Sequence, residues 1–297
     1  MTAMDAIEAL VQAELRRPVE PAAATLAEAA RAAVGGAVVV LYYGSCLRDG
    51  LSTEAVADLY ILVADYRRSS RTRLGGLANR ALPPNVVYLE AATASGRIRA
   101  KAAIVALDQF EAACGKDHFH SYFWARFAQP AALIWTADDA TRRRTGRAIA
   151  DAIRTFASET SARPLAAHDG ASAAFWIGGF QKTYASELRA EGPGRAETLY
   201  RADQARYDAI YALLAAENLR PAGSPGRWRL RQALGKVLSV LRLAKAIFTF
   251  EGGLDYILWK IERHTGVRLE ARPWQRRWPL LAAPGLAFKA WRKGGFR

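Results

Sequence analysis

Cysteine is almost missing from this chain, with two among 297 residues, Cys46 and Cys114. So few thiols exclude a disulfide framework and a cysteine-built metal centre, and they fit a reducing compartment. Acids are short as well, 28 Asp and Glu against 42 Lys and Arg, which leaves a formal net charge of +14. That excess predicts an acidic partner: nucleotide phosphates, nucleic acid or an anionic membrane. Long apolar runs are also lacking. The longest, Ala32 to Cys46, is interrupted by Gly35 and Gly36 and falls short of the roughly 18 to 20 residues that span a bilayer. The amino-terminal "MTAMDAIEALVQAELRR" mixes acids into its apolar residues and lacks the basic-then-apolar order of a signal peptide. The expectation is a cytoplasmic protein that does not cross a membrane but lies on its inner face. Internal repeats and low-complexity segments are absent.

What is present is ample apolar content, 51% of the chain, enough for two ordinary domains. Residues 22 to 34 are rich in helix formers and end at Gly35-Gly36. "AVVVLYY", "ADLYILV", "NVVYLE" and "RIRAKAAIVAL" follow as four β-branched or aromatic strands. From Leu107 onward "LDQFEAACG", "HSYFWARFAQP" and "DDATRRRTGRAIADAIRTFAS" carry helical spacing, with Pro130 ending the second. Residues 172 to 220 read as further helices, and "RPAGSPGR" at 220 to 227 as a linker. The fold class is α+β: a small mixed sheet with helices over residues 1–130, a helical domain over 131–222, and a basic helical segment over 223–297.

The chemistry concentrates in "LYYGSCLRDGLSTEAVADLYILV", residues 41 to 63. Gly44 lets the backbone turn close to a ligand, and Ser45 presents a hydroxyl and an N–H there, a corner suited to phosphate oxygens. Asp58, at the start of the next strand, is placed to hold Mg²⁺ against the same phosphates. The bare pattern by itself favours a plain strand-turn-strand with a surface acid. Tyr60 stands where a two-metal site carries its second carboxylate.

"YYGSCLRDG" followed by "ADLYILV" resembles the nucleotidyltransferase superfamily, and within it the mitochondrial-type phosphatidate cytidylyltransferases (CDP-diacylglycerol synthases of the translocator assembly and maintenance family). That family also pairs Tyr-Gly-Ser with an Asp whose second partner is not an acid. "IRAKAAIVALDQF" resembles its strand carrying a Lys, here Lys101. "SYFWARFAQP" resembles its Tyr-rich helix, here with Arg126 and Pro130. "TYASELR" resembles a Tyr, acid and Arg segment, giving Tyr184, Glu187 and Arg189, and "LRQALGK" a late segment with Arg231, Gln232 and Lys236. These matches keep their order from about residue 40 to 260.

The resemblance implies a Mg²⁺-dependent enzyme that joins CTP and phosphatidate into CDP-diacylglycerol and pyrophosphate. It implies Gly44, Ser45 and Lys101 on the nucleotide, Asp58 on the metal, Asp58 and Lys101 as the catalytic pair, and Tyr184, Glu187, Arg189, Arg231 and Lys236 on substrate phosphates. Glu90 is a candidate further metal ligand. Read without it, Lys101 is a strand-edge surface cation, Arg126 a snorkelling side chain, and Tyr184 with Glu187 a surface pair three residues apart. His118 and His120 in "KDHFHS" would make half a metal site, but further ligands are missing nearby, which favours a loop role. Cys46 reads as a small residue in a tight turn rather than a nucleophile.

Seventeen Lys and Arg against four acids lie between Arg220 and Arg297, nearly the whole excess of the chain. "RPWQRRWPLLAAPGLAFKAWRKGGFR" interleaves Trp, Phe and Leu with those cations, the mix of a membrane-interface anchor. The expected partners are CTP, phosphatidate or another anionic lipid, and a membrane surface. Aromatics with cations also suit single-stranded nucleic acid, but a proline-broken tail is a poor groove reader. The rival functions are a nucleotidyltransferase with another acceptor and a non-catalytic RNA- or membrane-binding protein on the same scaffold.

Overall fold

In the computed structural model the described residues are 3–69, 73–94, 96–165, 170–187, 194–217, 219–249 and 270–277, with 254, 258 and 285 singly. Helices α1 (Ala3–Leu15) and α2 (Pro21–Ala33) precede strand β1 (Ala37–Tyr43), the short helix α3 (Ser45–Asp49) and β2 (Val56–Val63). Helices α4 (Tyr66–Ser69) and α5 (Arg73–Ala81) lead to β3 (Asn85–Thr93) and β4 (Gly96–Ala106). Then come α6 (Leu107–Cys114), α7 (Trp124–Phe127), β5 (Ala131–Thr136) and the long α8 (Asp139–Thr160). The remainder is helical: α9 (Ala171–Tyr184), α10 (Arg195–Ala202), α11 (Gln204–Ala216) and α12 (Pro225–Thr249), with a last turn at Pro273–Arg277.

The five strands form one mixed sheet in the order β3-β4-β2-β1-β5. β2 and β4 run parallel, and the other pairs are antiparallel. The three central strands, β4, β2 and β1, are built mainly of Val, Ile, Leu, Tyr and Ala, residues that fill a pleated buried surface. Their alternation sends Ala57, Leu59, Ile61 and Val63 to a core under α2, and Tyr60 and Leu62 to a larger core on the opposite face. The fifth strand was not expected. "AALIWT" is short and follows Pro130, and it joins the sheet because β1 offers it an antiparallel edge. The helix expected over "HSYFWARFAQP" is shortened to the four residues of α7, framed by turns.

The larger core does not stop at residue 130. It runs from Ile7 and Val11 through Tyr60, Trp124 and Phe156 to Trp176, Tyr207 and Trp228, so the helical region shares its core with the sheet. α8 is started by Asp138, whose carboxylate accepts the Thr141 N–H at 2.7 Å, a cap of about 1 kcal/mol. The expected linker is short, because α12 begins at Pro225 and the preceding residues are tied down: Ala222 N–H donates to Ser158 O at 2.8 Å, and the Ser158 hydroxyl to Arg220 O at 2.7 Å. No helix among the described residues is long and apolar enough to cross a membrane.

Candidate functional site

β1 ends at Tyr43, and Gly44 turns the chain into α3 with φ +85° and ψ −159°. That region is essentially reserved for glycine. The turn packs on β2: a Cβ placed on Gly44 would lie 2.9 Å from Asp58 Oδ2, closer than real Cβ contacts permit. The two residues joined in the sequence motif therefore touch. Ser45 is exposed, and Cys46 behind it is buried with its thiol directed to Val56 O at 3.5 Å. Burial pushes that thiol's pKa up, as does Asp58, which keeps it unreactive.

The sheet register brings Lys101 to the same place. Asp58 pairs with Lys101 across the parallel β2–β4 ladder and with Tyr43 across the antiparallel β1–β2 ladder. Paired residues face the same side of a sheet, so Asp58, Lys101 and Tyr43 share the face that carries Tyr60. Tyr60 is fully buried, its ring 5.4 Å from that of Tyr43 and 4.9 Å from that of Phe127. A second carboxylate there would be ionised in an aromatic pocket at heavy cost, a physical reason for a single acid.

Arg126 extends the site. Its Nη1 donates to the Tyr43 hydroxyl at 2.9 Å, its Nη2 lies 3.8 Å from Glu187 Oε2, and its guanidinium sits 4.7 Å from the centre of the Tyr122 ring. Burial opposes its charge, but Tyr43, Tyr122, Tyr60 and Glu187 outweigh burial and raise its pKa, so it stays a cation. Arg126 and Glu187 came from separate motifs, and the fold brings them together. Tyr184 closes α9, and Glu187 stands in the turn after it, its N–H donating to Tyr184 O at 3.0 Å, rather than on one continuous helical face. Arg189 lies outside the described residues.

Glu90 does not join Asp58. It sits on β3, beyond β4, where its carboxylate meets Arg97 at 2.8 Å and Arg99 at 3.5 Å and accepts from the Tyr88 hydroxyl at 2.8 Å. Among the described residues no three His, Cys, Asp or Glu side chains converge on a metal position. Among the described residues Asp58 is thus not part of a three-ligand protein cluster. That donor set fits Mg²⁺ held by one carboxylate together with a ligand's phosphates, and does not fit an all-protein cage.

Arg231 and Lys236 part company. Five residues apart on α12, they point about 140° from each other. Lys236 is exposed, whereas Arg231 is fully buried. Arg231 Nη2 donates to Glu159 at 2.8 Å and Nε to Phe119 O at 2.5 Å, and the guanidinium packs on the rings of Phe119, Trp124 and Trp228. Glu159, 2% exposed, also receives Arg227 at 2.8 Å. Arg231 is therefore first a strut between α8 and α12. Its Nη1 is buried without a hydrogen-bond partner among the described residues, an omission that ordinarily costs about 1–3 kcal/mol.

That Nη1 belongs to a residue lining a cleft under α12, together with His120, Ser121, Glu187, Gly235 and Arg242. Sequence inspection missed this cleft, because its residues come from three segments spread over more than a hundred positions. Gly235 lets α12 approach: a Cβ there would lie 2.3 Å from Ser186 O. His118 and His120 are neighbours, ring centres 6.0 Å apart. Burial lowers both pKa values, and Arg242 and Arg231 add to it, bringing His118 down to about 4. Both imidazoles are neutral at physiological pH.

Further along α12, Lys245 Nζ donates to Leu82 O, to Pro84 O at 2.9 Å and to Asn79 Oδ1 at 3.3 Å, fastening the helix to the end of α5 and the loop before β3. Of the basic tail, Pro273–Arg277 is a helical turn with Trp274 half exposed, and most of the rest lies outside the described residues.

No protein-family model matches the chain, and no curated protein matches it.

Proposed function

We propose that this protein is a nucleotidyltransferase acting at a membrane surface, with CTP as donor and phosphatidate as acceptor. The observation that carries the reading is the contact of the Gly44 turn with the Asp58 carboxylate, with Lys101 in register beside it on the neighbouring parallel strand. A turn that takes phosphate oxygens, one carboxylate and one point charge on a single sheet face are the parts nucleotidyl transfer needs.

In this reading Gly44 and Ser45 hold the triphosphate, and Lys101 offsets its charge. Asp58 would hold Mg²⁺, which supplies neutralisation of the charge that develops at the α-phosphate. The acceptor phosphate oxygen attacks the α-phosphorus in line. A new P–O bond forms, the bond to the bridging oxygen of the β-phosphate breaks, and pyrophosphate leaves with that electron pair. Arg126, held charged by Tyr43 and Glu187, contributes positive potential on the same face. The basic carboxyl-terminal segment supports a membrane-bound acceptor, since cations interleaved with Trp and Phe favour an anionic interface.

Pyrophosphate release tests the reading. It is expected from CTP with Mg²⁺ only when phosphatidate vesicles are present. Release with soluble acceptors and not with phosphatidate would move the protein to another branch of the superfamily. No release from any nucleotide would leave a non-catalytic RNA- or membrane-binding role.

A further inference from the structure

Arg126, the cation of the candidate site, is only loosely fixed by hydrogen bonds. Its Nη1 donates to the Tyr43 hydroxyl at 2.9 Å, but Nη2 stands 3.8 Å from Glu187, too far for a hydrogen bond, and the buried Nε has no partner among the described residues. One hydrogen bond leaves a planar guanidinium free to turn about it. The Tyr122 ring, its centre 4.7 Å from the guanidinium carbon, supplies the flat surface that fixes the plane. The Tyr43 ring is farther, at 5.6 Å. Without the Tyr122 ring, Arg126 is free to close the gap to Glu187.

The same ring carries a second cation. Arg242 of α12 lies 4.2 Å from the ring centre and donates Nε to Pro83 O at 2.8 Å. An aromatic ring has negative potential on both faces, so one ring can take two guanidiniums. Lys245, three residues further along α12, donates to Leu82 O and Pro84 O, so three successive carbonyls pin this stretch of the helix. Arg242 is thus set by the loop before β3, Arg126 stands by the end of β1, and half-buried Tyr122 bridges them.

We infer that Tyr122 is a positioning residue for Arg126, and that through it the placement of α12 sets the cation on the face of the candidate site. α12 opens the basic carboxyl-terminal segment, so the chain Arg242–Tyr122–Arg126–Tyr43 joins that segment to the residue before Gly44. The inference rests on the proposed cytidylyl transfer for what Arg126 does there, but not for the coupling itself.

The test reads the coupling by nuclear magnetic resonance on the full chain with isotopically labelled arginine, and its consequence by turnover. The Arg126 Nε–H signal, shielded from exchange by burial and identified by its absence from Arg126→Lys, is expected to shift in Tyr122→Leu and to stay near its place in Tyr122→Phe. It should shift in Arg242→Gln only while the ring is present. In pyrophosphate release from CTP with phosphatidate vesicles, Tyr122→Leu should lower kcat about three- to thirtyfold, the range of one cation–π contact, with the KM for CTP within about twofold. Tyr122→Phe, which keeps the ring, should restore kcat. Arg242→Gln should lower kcat in the parent but no further in Tyr122→Leu, and Arg143→Gln, an exposed charge loss on α8, should change neither signal nor rate. Thermal unfolding of each variant checks the fold, and Arg242→Gln decides if Tyr122→Leu unfolds. An Arg126 signal that Arg242→Gln leaves in place or shifts equally without the ring, or a Tyr122→Phe chain as impaired as Tyr122→Leu, overturns the inference. A coupled signal in a wild type that transfers cytidylyl to no acceptor keeps the coupling and removes the transferase reading. Transfer at the wild-type kcat by both Tyr122→Leu and Arg242→Gln keeps the transferase reading and removes the positioning role.

Discussion

Replacing Gly44 with Ala adds one methyl group at the tightest point of the candidate site. The backbone there, φ +85° and ψ −159°, costs a non-glycine residue about 1–3 kcal/mol. The added Cβ also meets Asp58 Oδ2 at 2.9 Å, so the carboxylate must move. Gly50 provides the control. Its backbone is of the same kind, φ 87° and ψ 154°, but a Cβ there meets nothing within 4 Å. Both variants should therefore lose about 2–12 °C in Tm, at about 2–4 °C per kcal/mol for a chain of this order of size. Only Gly44→Ala should also lose turnover, by about a hundredfold, the scale of a misplacement near 1 Å. The assays are thermal unfolding by circular dichroism and pyrophosphate release from CTP. Equal turnover in the two variants would refute the claim that Gly44 positions Asp58.

Glu159→Ala should be among the most damaging single changes, because it strands the fully buried Arg231 and frees Arg227. About 3–5 kcal/mol, or about 6–20 °C in Tm, is expected in a thermal melt, with Glu159→Leu/Arg231→Met recovering much of it. Lys245 has its pKa lowered from 10.5 to about 8 by burial and, secondarily, by Arg242. The folded protein thus sheds that proton first, and between about pH 8 and 10.5 the unfolded chain binds more protons, so this group favours folding increasingly as pH rises. The Tm difference between parent and Lys245→Met should move toward the parent from pH 7 to pH 10, and a flat difference would contradict the cause assigned. Retention on phosphatidate vesicles in a flotation assay should fall as salt is raised but not vanish, since screening removes about 1 kcal/mol per surface cation and leaves the Trp and Phe contacts. Salt-independent retention would remove charge from the account.

Four of the five strands were legible because Val, Ile and Tyr cluster in runs bounded by Gly, Asn and Pro. β5 was not, because five apolar residues and a Thr after Pro130 read equally as the tail of a helical stretch. Gly44, Asp58 and Lys101 could be named from the sequence, since a turn and two strand positions are local features. Their meeting depends on the β2–β4 register, which no local pattern specifies. The same holds for Arg126 and Glu187, each readable as a surface residue until α7 and the turn after α9 converge. The burial of Arg231 was illegible for a different reason. It lies on a helix with exposed Arg229 and Lys236, and only Glu159, 72 positions earlier, turns it inward.

Incubation of the full chain with α-labelled CTP, Mg²⁺ and phosphatidate vesicles, followed by lipid extraction, bears most directly on the central claim. The account predicts label in a CDP-lipid with wild type, and almost none with Asp58→Ala, whose fold should stay intact because a half-buried acid at a strand start contributes little to the core. Label in the lipid fraction at the wild-type rate with Asp58→Ala, or none with either protein, would contradict it.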